Sequence, residues 1–120
     1  MSVVTPMQVE RRLKDLSKEL DSCHDALVEA ERTYFTTKAE YEIAIARSRL
    51  SLSAKSSPTG KNYTVGERED LAIIENTELH FAMASAEALV RASRANAARI
   101  KTQVDIARSI SVSVRSGMDI

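Results

Sequence analysis

The chain has 120 residues and a mass of 13.2 kDa, and its 17 Lys and Arg balance 17 Asp and Glu. That length fits one compact domain or one helical unit and excludes a multidomain enzyme, while a formal charge of zero gives no overall pull toward nucleic acid or an anionic membrane. With 4% aromatic residues, no Trp, three Gly and two Pro, the turns and large rings of a β-sandwich or barrel are missing, so the chain reads as all-α.

Thr5-Pro6-Met7-Gln8 has the form of a helix start: a Thr hydroxyl to cap a free N–H, a Pro tolerated at the first helical position and a Gln able to complete a capping box. From Val9 the inward positions fall at Leu13, Leu16, Leu20, Cys23, Leu27, Ala30, Tyr34, Thr37, Tyr41 and Ala44, stepping by four and three alternately. This is a heptad seam. No Gly or Pro interrupts the chain between Pro6 and Ser57, so one helix is expected over 6–52.

Residues 53–63 concentrate Ser, Pro, Gly and Asn and read as a loop. Thr64-Val65-Gly66-Glu67 supplies a second capping-box pattern, and Glu67, Glu69 and Asp70 sit favourably against the dipole of the helix that follows. That helix is expected over 65–114. Its seam is Leu79, Met83, Ala86, Val90, Ser93, Ala97, Ile100, Val104, Ala107, Ser111 and Val114, dominated by small residues that let helices approach closely. A neighbouring stripe of Ala82, Leu89, Asn96 and Ile110 widens the apolar face. The last residues, 116–120, are expected to fray.

Folding about residue 59 sets the acid-rich stretch 15–31 against the base-rich stretch 87–103, with Asp15, Glu19, Asp21, Asp25, Glu29 and Glu31 facing Arg91, Arg94, Arg99 and Lys101. Opposite charges then meet in a long antiparallel helical hairpin, a coiled coil forming a single unit over 1–120. Two helices alone leave Phe35, Ile43 and Ile45 off the first seam and Ala82, Leu89 and Ile110 off the second. Covering those edges implies a homo-oligomer, either a helical bundle or a ring.

The catalytic constellations are absent from the sequence. Cys23 and His24 are adjacent on a helix and project differently, His80 has no well-spaced acid, and Gly60 and Gly66 form no phosphate loop. The expectation is a protein that is not an enzyme and takes no cofactor or metal. One cysteine, no export signal and no run long enough to span a membrane point to the cytoplasm.

The informative feature is a gap in the acids. None lies between Glu42 and Glu67, while Arg47, Arg49, Lys55 and Lys61 place four cations around the hairpin tip among Ser and Thr hydroxyls. Such a tip suits phosphates, and Tyr63 could stack on an unpaired base. The plainer alternative is a solvated loop that happens to be basic. A second row, Arg94, Lys101, Arg108 and Arg115, repeats every seven residues and either flanks a seam and pairs with acids or contacts nucleic acid.

The stretch Lys38-Ala-Glu-Tyr-Glu-Ile-Ala-Ile-Ala-Arg47-Ser48-Arg49-Leu50, followed by a polar Gly-containing loop and a Thr-capped acidic helix start, resembles the UvsY-type recombination mediators of tailed phages. Their first long helix ends near a Lys-Ala-Arg-Leu motif associated with DNA binding. Arg47 matches its Lys in charge, Arg49 and Leu50 match outright, and Ser48 departs from the Ala. Ala92-Ser-Arg94-Ala-Asn-Ala-Ala-Arg-Ile100-Lys is similar to the family's basic C-terminal helix, although the aromatic content expected there is reduced to Phe81. The resemblance implies a cytoplasmic, ring-like homo-oligomer in a bacterial host cell. It would bind single-stranded DNA and help a recombinase displace a single-strand-binding protein. The same heptads also fit a structural adaptor or scaffold whose ligand is another helix. The small hairpins of type VII export share the size, but their Trp-X-Gly turn is missing.

Overall fold

The computed structural model describes residues 4–55 and 57–117. Helix α1 spans Pro6–Ser53, α2 Val65–Glu75 and α3 Thr77–Arg115, with no strand among the described residues. The start of α1 is the expected reciprocal cap. Gln8 N–H donates to Thr5 Oγ1 at 3.2 Å, and Thr5 N–H donates to Gln8 Oε1 at 3.0 Å. The same device opens α2, where Glu67 N–H donates to Thr64 Oγ1 and Thr64 N–H to Glu67 Oε1.

The single helix expected over 65–114 is in fact two, separated at Asn76. In an unbroken helix the Asn76 N–H would donate to the Ala72 carbonyl, four residues back. Here it donates to Ile73 O at 3.1 Å, and the Asn76 side-chain amide takes over Ala72 O at 2.8 Å. Thr77 Oγ1 donates to Ile74 O at 2.6 Å, and the ladder resumes with His80 N–H on Asn76 O. Polar side chains that compete for backbone carbonyls thus end one helix and begin another.

The chain packs as two compact units. One combines residues up to Glu29 with those from Arg91 onward, and the other is Ala30–Val90. In the first, α1 and α3 lie antiparallel around Leu16, Ile100, Val104 and Ala107, with Leu13, Leu20 and Cys23 packed against them. Leu16 and Ile100 are the most deeply buried large side chains. Burying each contributes about 1.5–3 kcal/mol. Asn96 Nδ2 donates to Cys23 Sγ at 3.2 Å, and Arg99 donates to Asn96 Oδ1 at 2.7 Å, so Arg99 turns to an amide rather than to the acids expected opposite it. The contact of 23 with 96 lies within a residue or two of the expected register.

In the second unit the core is Ile45, Leu52 and Ala72, flanked by Tyr41, Tyr63 and Leu71. Ile45, expected on an open edge, is buried because α2 lays Ala72 against it. Ala72 is wholly buried; its single methyl lets α2 approach α1 closely. On α1 and α3, Ala30, Ala86 and Val90 are buried, while Tyr34, Thr37, Leu79 and Met83 are half-buried along the expected seams. Phe35, Ile43, Phe81 and Leu89 remain open, each more than half exposed.

Candidate nucleic-acid interface

The basic tip is assembled within the second unit by the end of α1 and the connection to α2. Arg47 and Arg49 are exposed on the last two turns of α1, and Ser48 between them is half-buried because Asn76 Nδ2 donates to its Oγ at 2.9 Å. Lys55 follows the helix end and Lys61 follows a tight turn; both are exposed. The turn is closed by Gly60 N–H on Ser57 O at 2.9 Å and by Ser57 N–H on Lys61 O at 2.7 Å. It requires φ of 81° at Gly60, a backbone conformation that costs an L side chain about 1–2 kcal/mol. The hydroxyls of Ser57 and Thr59 are hydrogen-bonded to each other at 2.8 Å.

Arg47, Arg49, Lys55 and Lys61 have no carboxylate within 4.0 Å among the described residues. Yet the gap in the acids along the sequence is not a gap in space. A shallow groove beside the tip is lined by Arg49, Leu50, Ser53, Val65, Arg68 and Glu69, so α2 brings both a carboxylate and a further guanidinium to Arg49. Arg68 escaped the sequence reading because it lies inside an acidic helix start. Its spacing one residue after the capping Glu67 is legible, and the hairpin register about residue 59 sets it beside the residue opposite Arg49, with which it shares the groove. Tyr63, expected to stack on a base, is half-buried and packs against the Ile45, Leu52 and Ala72 cluster. Its ring therefore anchors the loop to the core.

The second basic row lies on α3 in the first unit. Arg115 approaches Glu10 at 4.0 Å, with both side chains about two-thirds exposed, a pair contributing about 0–1 kcal/mol. Arg94 is engaged by a neighbouring group, as are Glu29, Glu31, Arg32, Glu87 and Arg91. Lys101 and Arg108 are exposed and unpaired among the described residues. The row thus divides between pairing and solvent.

His80 is half-buried beside Tyr41, with ring centroids 5.5 Å apart, and its Nδ1 is buried without a hydrogen-bond partner. Among the described residues no three His, Cys, Asp or Glu side chains gather as a metal-ion group, and no helix is long and apolar enough to cross a membrane. Comparison of the chain with protein-family models, with curated proteins and with solved structures returns no match.

Proposed function

We propose that the protein is a non-catalytic single-stranded DNA-binding factor of the recombination-mediator type, helping a recombinase displace a single-strand-binding protein. The observation that carries this reading is the set of four exposed cations, Arg47, Arg49, Lys55 and Lys61, left without carboxylate partners at one end of the second unit. Cations in this state can exchange their counterions for strand phosphates, and the exposed loop hydroxyls and backbone add hydrogen-bonding capacity. The match of Arg47-Ser48-Arg49-Leu50 to the mediator motif supports the same assignment.

Self-association belongs to this proposal. Phe35, Ile43 and Leu50 fall within one stripe of α1 and are 63%, 54% and 73% exposed, an apolar edge that a second copy would cover. Several tips in one assembly would hold one strand at several places, and linking weak contacts raises overall affinity through effective concentration. The same stripe favours a second reading, an adaptor that docks a helix of another protein.

Fluorescence anisotropy with a labelled single-stranded oligonucleotide, a duplex competitor and a salt titration separates the two. Tight binding that prefers the single strand and weakens steeply with salt is expected, and Arg47→Ala with Arg49→Ala should lower affinity and flatten the salt dependence without changing assembly mass. Absence of binding at low salt leaves the adaptor reading in place.

A further inference from the structure

Helix α1 carries a second apolar stripe besides the one that meets α2 and α3. Phe35, Ala39, Ile43, Ala46 and Leu50 step by four, four, three and four, so they share one face of the helix over about 22 Å. All five are exposed, whereas Tyr41, Ile45 and Leu52 on the other side are half-buried or buried. No charged residue interrupts the stripe. We infer that this face is the contact between two copies of the chain, related by a two-fold axis near residues 42 and 43 that sets their α1 helices antiparallel. The inference deepens the self-association reading and rests on it; strand binding is not required for it.

The order of sizes is the first argument. Large and small side chains alternate along the stripe, and the alternation reads the same from either end. A two-fold contact demands this, because each patch must fit its own copy. With residue i opposite about 85 minus i, Ala39 meets Ala46 of the second copy and lets the backbones approach, while Phe35 meets Leu50 and Ile43 lies beside its own copy. Charge sets the direction. Glu40 and Arg47 are exposed, lie about two turns apart on one side of the stripe, and have no ion pair inside the chain among the described residues. Like flanks face one another in an antiparallel pair, so Glu40 of each copy comes opposite Arg47 of the other, twice per dimer and in nearly the same register. On the other flank Glu42 approaches its own copy at the axis, with Lys38 and Arg49 of the second copy about one turn to either side. A parallel pair would instead set the two acid-free ends, each with Arg47, Arg49 and Lys55, side by side. The antiparallel pair holds the Arg49 positions of the two copies about 20 Å apart along the axis.

The test is disulfide trapping in a Cys23→Ser background, alongside sedimentation of the same proteins. Ile43→Cys should oxidise to a covalent dimer with itself. Ala39→Cys and Ala46→Cys should each trap poorly alone, their like positions lying about 10 Å apart along the axis, and should trap well when mixed. Self-trapping by all three variants marks a parallel contact and overturns the inference. Trapping by none of them in a protein that still associates also overturns it, and leaves self-association standing on another face. A chain that sediments only as a monomer ends the self-association reading, takes this inference with it, and leaves the face to a helix of another protein. Charge reversal in the otherwise unaltered chain gives a second readout that does not depend on Cys23. Arg47→Ala merely unpairs an exposed acid and should leave the assembly mass unaltered. Glu40→Arg sets like charges together twice per dimer and should weaken association about tenfold, as should Arg47→Glu, while the two reversals combined should restore it. A merely structural role would leave the combined variant weaker than either single one, and that result overturns the register.

Discussion

Leu16→Ala is the sharpest test of the packing in the first unit. Leu16 is 2% exposed and sits in one cluster with Ile100, Val104 and Ala107, on which Leu13, Leu20 and Cys23 close. The substitution removes three carbons, a transfer loss of about 2.4 kcal/mol at roughly 0.8 kcal/mol each. The neighbours are held on two long helices and relax only in part, so a cavity adds to that loss and the total should be about 3 kcal/mol, inside the range of about 2–5 kcal/mol for such changes. For a chain whose whole stability is on the order of 5–15 kcal/mol this is a large fraction. Urea unfolding followed by far-ultraviolet circular dichroism reads it directly. With a slope of about 1.5 kcal/mol per molar, the midpoint should fall by about 2 M. Protein concentration must be held fixed, since association would raise every midpoint. Val28, 54% exposed in the same unit, is the control, and Val28→Ala should stay within about 0.5 kcal/mol. Equal midpoints for the two variants would refute the assignment of Leu16 to the core.

Three further outcomes are expected. Gly60→Ala should destabilise the protein by about 1–2 kcal/mol through backbone conformation alone, because φ is 81° and an added Cβ meets nothing within 4 Å; thermal denaturation measures it. Thr64→Ala removes one half of the α2 cap and should cost about 1 kcal/mol, with amide hydrogen exchange rising first in Val65–Glu75. Phe35→Ser, at a side chain 63% exposed, should leave the unfolding midpoint of a dilute sample nearly unchanged while lowering the mass seen by sedimentation, and an unaltered mass would remove Phe35 from the proposed contact between copies.

The heptad arithmetic located the cores well because burial on a long helix follows the 3.6-residue period. Leu16, Val90, Ile100, Val104 and Ala107 stand on the seams that spacing alone picks out, and the Thr5–Gln8 and Thr64–Glu67 pairs form the caps that their spacing announces. Asn76 was not legible in the same way. An Asn inside a periodic apolar pattern is usually tolerated on a solvated face, and its effect here depends on Ser48, 28 residues away, accepting its second hydrogen. Ile45 is core and Tyr63 an anchor because Ala72 of α2 packs against that side of α1, and Arg49 shares a groove with Arg68 and Glu69. Charge counted along the chain identifies the tip cations, and the one carboxylate in the groove beside Arg49, that of Glu69, is brought there by the pairing of α2 with α1.

The half-buried thiol of Cys23 gives the first unit an intrinsic clock. It is the chain's sole cysteine, it packs against the Leu16–Ile100 cluster, and it accepts a hydrogen bond from Asn96. A thiol reagent can modify each chain once at most, so the rate of that reaction in unaltered protein, set against that of free cysteine, measures how far the packing of α1 on α3 shields this point. No introduced label is needed to follow that shielding.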